Sequence, residues 1–550
     1  MRRWAVAAFV GAAALRLAGI RWGLPYTLNA DEPHFVDLAV SFGAGTLRPY
    51  ALKFPTFWPY VLFAAFCAYF LVWSAFGLRR SVSDFAVRFA WKPGPFFLLA
   101  RLLAAACSLA GAWLIAVEER EHDRYAAPWA ALLLLVSPVI VELAHSAKPD
   151  CLLLLCACFG WRWALAFQRG GERRHLWLAG LGFGAASASH YTAAPAAVTL
   201  LAAWAFCRKK PRPALLLEAG AAWAAGLILA SPYLALEWRR VLEGFSDMRS
   251  LMASRAFSRA AMLGVAARHG WNFAGPGSIA GLAAAGGAAL LAVRDGRRLA
   301  VLVAAPLLYI LLLSNYPDAG WQRYQMAAFP GWALLAAEGL EWARVAAGRQ
   351  AWSAAVLAAL ALGPGAVAAL SMDAQLRLPE TRQAAAAWLK ANVPEGKTLL
   401  LDVPHASPPV PMTRGQVEEL ARKTAQAGSP RARFYRAMSA GHPGGGWRVL
   451  RVERTAQDLA SGPRHTELSQ ADADVVDVRG GLAEPLRRGA SFAVTTDFGA
   501  TRESAPALAR YFDELEAKGK LVAVFTPKAG ESMGPTLRIF DLGGISARRR

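Results

Sequence analysis

Met1-Arg-Arg-Trp-Ala5-Val-Ala-Ala-Phe-Val-Gly-Ala-Ala-Ala-Leu-Arg-Leu-Ala-Gly-Ile20 opens the chain with two arginines and a run of apolar residues. A basic start and an apolar core also describe a secretory signal. No small-residue cleavage site follows, so the segment reads as a retained first membrane helix. The rest of the chain agrees. Of its 550 residues 55% are hydrophobic and only 18% charged, there are 20 Trp, and the mean hydropathy is +0.29. An ordinary soluble globule carries about 25% charged residues. Several further runs reach the ~20 apolar residues that cross the hydrocarbon core of a bilayer. These features predict a polytopic α-helical membrane protein.

The formal net charge is +21. The Lys/Arg clusters fall largely between apolar runs, as the positive-inside rule and anionic head groups would have it. No zinc-finger, RNA-binding or basic-zipper pattern accompanies them, so the charge does not point to nucleic acid. The six cysteines (Cys67, Cys107, Cys151, Cys156, Cys158, Cys207) lie in or beside apolar segments, which excludes a disulfide framework in the polar C-terminal third. Cys156 and Cys158 are about 200° apart on a helix, a poor metal pair.

Spans are predicted at about 4–22, 96–117, 126–145, 151–168, 214–235, 277–293, 299–314, 326–343 and 351–371. Residues 57–78 read as a span or an interfacial helix. Residues 176–206 lie between the basic clusters Glu172-Arg-Arg-His175 and Arg208-Lys-Lys-Pro-Arg212, which both favour the cytoplasm. The run is too short for two crossings of ~20 residues. It is expected to form a hairpin of two short helices, broken near Ser187 to Thr192. With the N-terminus inside, alternation gives about 11 transmembrane helices over residues 1–372. If 57–78 lies in the interface, both acidic turns described below face outward, as does an outer loop at 237–276.

From about Asp373 the pattern changes. Thr381 to Asn392 and Ala505 to Lys518 read as helices. Lys397 to Asp402, Trp447 to Val452, Ser491 to Thr496, Leu521 to Phe525 and Thr536 to Phe540 read as strands. Residues 373–550 are therefore expected to form an extracytoplasmic α/β domain. No phosphate loop or nucleophile elbow occurs there.

The charged residues beside the apolar runs bear on function. The stretch 23–95 contains Leu24-Pro-Tyr-Thr-Leu-Asn-Ala-Asp31-Glu32-Pro-His34 and Lys53-Phe-Pro55; a second acidic turn, 145–150, reads His145-Ser-Ala-Lys148-Pro-Asp150. Ionisable groups at a membrane boundary are costly and mark function. Each also has a plainer use. Asp31 and Asp150 stand where helix caps stand, and Glu32 suits a first turn. Lys53, Lys148 and Arg323 could anchor at head-group level, and His145 could be a satisfied polar contact.

The order and spacing of these motifs, with Arg323-Tyr324 and Pro330 further on, resemble the GT-C membrane glycosyltransferases, in particular the protein O-mannosyltransferase and aminoarabinose–lipid A transferase group. In that group the helix after the Lys-Phe-Pro motif lies along the membrane surface. The resemblance implies transfer of a sugar from a polyprenyl phosphate donor to a hydroxyl at the outer face, with inversion. It implies Asp31 as base and Glu32 orienting the acceptor or the loop. Lys148, His145, Lys53 and Arg323 would receive the donor phosphate, with Tyr324 and His34 beside them, and Asp150 would position a cation, a metal or the acceptor. No cofactor is required. A divalent ion among Asp31, His34, His145 and Asp150 stays open but has no tight ligand spacing behind it. The expected partners are the lipid-linked donor, membrane lipids, and an acceptor that is a protein, a glycolipid or a polysaccharide. Abundant Ala and Arg suggest a GC-rich bacterium and hence its plasma membrane.

Two other classes compete. A transporter or flippase for a lipid-linked sugar would place charges along a midplane path with internal symmetry; here the charges gather at helix mouths and no repeat is evident. A non-catalytic receptor or scaffold would not require acids at two separate helix mouths.

Overall fold

The computed structural model describes residues 3–77, 80–120, 127–251, 259–314, 322–402, 404–452, 474–497 and 506–547. Part of the cytoplasmic turn expected after Glu118, part of the 237–276 loop and Arg79 lie outside the described residues. The chain forms two compact units: Met1–Ile20, Phe35–Ala65 and Leu98–Asp373 make one, and Arg21–His34, Phe66–Phe97 and Ala374–Arg550 the other.

The first unit is helical. Among the described residues, five helices of the chain are long and apolar enough to cross a membrane: Phe57–Phe76, Gly94–Val117, Asp150–Gly170, Gly296–Leu313 and Ala351–Leu376. Phe57–Phe76, open between a span and an interfacial helix on sequence, has the length and composition of a span. Several other expected spans are shorter because the sequence interrupts them. The run 126–145 divides into Ala127–Val136 and Pro138–Ala144, with Pro138 at the start of the second piece. The run 176–206 breaks at His190, between Arg173–Ser189 and a 3-10 turn, Tyr191–Ala197, that contains Pro195.

Lipid offers helices no hydrophobic drive to associate, so they pack through close backbone approach. Helices Arg173–Ser189 and Ala214–Ala230 meet at Gly184 and Gly226; a Cβ on Gly184 would lie 2.1 Å from the Trp223 carbonyl oxygen. Helices Ala280–Arg294 and Phe329–Ala346 meet at Gly287 and Gly339 in the same way. Arg16 is fully buried and donates from Nε to Ser108 Oγ at 2.6 Å and from Nη1 to the carbonyls of Ala12 and Leu135 at 3.0 Å.

The second unit contains the sheet: β1 Thr398–Leu401, β2 Arg448–Val452, β3 Asp474–Val476, β4 Ala490–Thr496, β5 Lys520–Phe525 and β6 Leu537–Asp541. Its order is β3-β2-β1-β4-β6-β5, parallel from β3 to β4, with β6 antiparallel to both β4 and β5. Strand side chains alternate between faces. Leu400 packs on one side with Leu450, Tyr511 and Leu515, whereas Leu399 and Leu401 pack on the other with Ala385 and Leu389. Helix Ala509–Lys518 therefore covers one face and Thr381–Asn392 the other. Helix Val82–Trp91 also belongs to this unit. Ser81 and Asp84 cap it reciprocally, and Trp91 Nε1 donates to the Met438 carbonyl at 2.9 Å.

Candidate functional site

In the first unit the Lys53-Phe-Pro turn is fixed on both sides. Thr56 donates its amide to Ser231 Oγ at 2.9 Å, and the two hydroxyls are 2.7 Å apart. Trp58 is fully buried and its Nε1 donates to the Ala147 carbonyl at 2.9 Å. That bond ties the turn carrying Lys53 to the turn carrying His145, Lys148 and Asp150. Asp150 is the first residue of helix Asp150–Gly170, where the helix dipole favours an anion. Lys148 and Asp150 are both buried.

His145 is committed within the unit. Nδ1 lies 2.8 Å from the Val141 carbonyl, and Nε2 lies 2.7 Å from the Ala18 carbonyl and 3.4 Å from Asp373 Oδ1. Lys53 Nζ sits 5.7 Å from the centre of the Phe54 ring. Phe54 in turn contacts Phe35 and His190, each with ring centroids 5.5 Å away. His190 caps the 3-10 turn Tyr191–Ala197, with Nδ1 accepting from the Thr192 amide.

Arg323 lies 5.4 Å over the Tyr324 ring, on the 3-10 turn Gln322–Ala328. This turn packs against Tyr191–Ala197 and against helices Pro138–Ala144 and Asp150–Gly170. Beside the Lys53 turn, Arg240 donates to the Tyr50 carbonyl at 2.8 Å, and Glu237 accepts from both Arg48 and Arg240. Partial burial pushes the Glu237 carboxyl up, but the bonds from Arg240 and Arg48 outweigh it and hold the group below its ordinary range.

Asp31, Glu32 and His34 belong to the second unit. Asp31 is exposed and immediately precedes helix Glu32–Ser41, and its amide donates to Asn29 Oδ1 at 2.9 Å. Glu32 is fully buried and His34 half-buried. Among the described residues no three His, Cys, Asp or Glu side chains gather as a metal would need. Two features of the first unit were not singled out from sequence. The break at His190 was visible, but its contact with Phe54 was not, because it joins residues far apart in the chain. The Arg48–Glu237–Arg240 group had no local motif.

The profile of the dolichyl-phosphate-mannose-protein mannosyltransferase family matches residues 97–238, about a quarter of the chain. Among curated proteins none matches. Among solved structures, ArnT from Cupriavidus metallidurans bound to undecaprenyl phosphate aligns at 15% identity and a TM-score of 0.47, covering 98% of each chain. The apo form of the same protein aligns at 14% identity and a TM-score of 0.48, covering 98% of this chain and 97% of that one. The matched stretch 97–238 contains the His145–Asp150 turn and His190, and through it the chain resembles the GT-C membrane glycosyltransferases.

Proposed function

We propose that the protein is a membrane glycosyltransferase that moves a sugar from a polyprenyl phosphate to an acceptor hydroxyl at the extracytoplasmic face, with inversion at the anomeric carbon. The observation that supports this most is the Trp58–Ala147 bond. It ties Lys53 to Lys148 and Asp150, and Ala147, Lys148 and Asp150 fall inside the stretch matched to a family that takes its sugar from a lipid phosphate.

The chemistry accounts for the residue types. The acceptor oxygen attacks the anomeric carbon, the bond from that carbon to the phosphate oxygen breaks, and the acceptor proton passes to a carboxylate. Asp31 is that base, and Glu32 orients its loop. Phosphate leaves without a strong acid, so the demand is for positive charge around it. Lys148, Lys53 and Arg323 supply that charge, Tyr324 holds the Arg323 side chain, and Asp150 orients the cations or the acceptor. The sugar is a hexose or pentose, and the acceptor a protein, glycolipid or polysaccharide.

The test is transfer in proteoliposomes with radiolabelled polyprenyl phosphate sugars. Wild type transfers and D31N does not, although D31N is folded and inserted. Transfer retained in D31N removes the base assignment, and radiolabel crossing the bilayer without transfer turns the reading into one of transport.

A further inference from the structure

The loop Arg21–His34 belongs to the same compact unit as the C-terminal α/β domain. Two side chains from the first turn of helix Thr381–Asn392 hold that loop by its backbone. Arg382 is buried, and so is its partner Glu380. Its Nε and Nη2 donate to Glu380 Oε1 at 2.6 and 2.5 Å, while Glu380 Oε2 accepts the Arg382 amide at 2.7 Å. With one edge of the planar guanidinium fixed, Nη1 is aimed outward. It donates to the carbonyl of Leu28 at 3.1 Å and also to that of His405. Next to it, Gln383 Nε2 donates to the Gly23 carbonyl at 3.1 Å. Gly534 makes room for this arrangement, since a Cβ there would lie 2.4 Å from Glu380 Oε1.

These bonds bracket the turn that leads to Asp31. Leu28 is buried, and Asp31 follows it by three residues, a span of at most about 10 Å. The Asn29 side chain takes up the Asp31 amide, and the next residue, Glu32, is fully buried. Asp31 is thus an exposed carboxylate on a short tether whose start is held by Arg382. We infer that Arg382, seconded by Gln383, is a positioning residue for Asp31, and that the C-terminal domain serves the reaction by setting the geometry of this loop. The inference rests on Asp31 being the base.

A general base misplaced by about 1 Å loses up to roughly 100-fold in rate while substrate binding is little changed. Lysine at 382 keeps a cation beside Glu380, but its single ammonium group cannot also reach the two carbonyls. The experiment compares wild type, R382K, Q383A and D31N, all in detergent and as the full chain. It reads thermal midpoint, deuterium uptake over residues 21–34, and the kcat and KM of transfer. R382K is expected to keep a folded domain, to take up deuterium faster over 21–34, and to lose about 10- to 100-fold in kcat with KM within about 2-fold. Q383A follows the same pattern at a few-fold. If D31N is inactive but R382K shows unchanged uptake or unchanged kcat, the positioning role is overturned and the base assignment stands. If D31N is active, both fall.

Discussion

The imidazole of His190 lies against the Phe54 ring, with centroids 5.5 Å apart and planes inclined by 38°, on a side chain whose neighbour in sequence is Lys53. Nδ1 of the same imidazole lies 3.3 Å from the Thr192 amide, which it caps, and 2.9 Å from the Thr192 hydroxyl. The residue therefore combines a capping role through Nδ1 with a second ring nitrogen, Nε2, on a ring packed against the sequence neighbour of Lys53.

Asparagine and glutamine separate these two roles. In Asn the side-chain oxygen mimics Nδ1 and keeps the cap, whereas in Gln the amide nitrogen reaches the place of Nε2. If Nε2–H assists the leaving phosphate, H190N loses about 10-fold in kcat and H190Q keeps most of it, in line with one charge-assisted hydrogen bond. Equal activity in the two variants limits His190 to the cap.

The Trp58–Ala147 bond gives a stability prediction with a functional consequence. Phenylalanine at 58 retains most of the buried ring but removes the indole N–H that donates to the Ala147 carbonyl. The net loss of one such hydrogen bond costs about 0.5–1.5 kcal/mol. W58F is expected to lower the thermal midpoint in detergent and to reduce transfer, because the Lys53 and Lys148 turns lose their common tie. An unchanged midpoint with unchanged transfer argues against the tie.

Gly287 and Gly339 test the packing of the membrane unit. A Cβ on Gly287 would stand 2.0 Å from the Leu335 carbonyl oxygen, and one on Gly339 the same 2.0 Å from that of Ala283. Backbone cannot swing aside as a flexible side chain can, so the helices must separate. G287A should cost at least the 1–3 kcal/mol typical of overpacking, and G287V more. Gly286, one residue earlier with open space around its Cβ, is the control: G286A should be near neutral. The readout is thermal unfolding of the purified protein.

What the sequence made legible follows from which signals are local. The hairpin expected in 176–206 breaks at His190, inside the expected window, because a basic cluster at each end and a run too short to cross twice leave few alternatives. Thr381–Asn392 has the expected bounds, since its Ala and Leu stripe and the strand after it are both local patterns. Helix Arg414–Gln426 was missed. Its buried face includes Gln416 and Thr424, and the Gln416 amide bonds both the amide and carbonyl of Val449, so a polar residue occupies a core position. Strand β3 is only three residues long, at the sheet edge. Of the candidate site, residue types and turns were readable. The partners were not, because Arg382 and Leu28, or Trp58 and Ala147, meet only once the chain has folded.

The C-terminal domain should lose stability in acid, and two carboxylates set the window. The Leu482 amide donates to Glu514 Oε2 at 3.0 Å, and this bond is the main reason that Glu514 titrates below its ordinary 4.5; Lys518 and Arg510 add to it. Asp477 is lowered from 3.8 chiefly by its side-chain bonds to Arg479. A carboxyl with a depressed folded pKa binds fewer protons folded than unfolded. Its contribution is complete above the unfolded value and disappears as pH falls through the folded one. Stability carried by these two groups is thus whole at pH 6 and begins to fall below about pH 4.5, first through Glu514 and then through Asp477. E514Q removes the charge at every pH, so the variant should start lower at pH 6 and decline less steeply between about pH 4.5 and 3. Thermal midpoints of the two proteins measured across that range should converge. Parallel curves would show that Glu514 has the same proton affinity folded and unfolded.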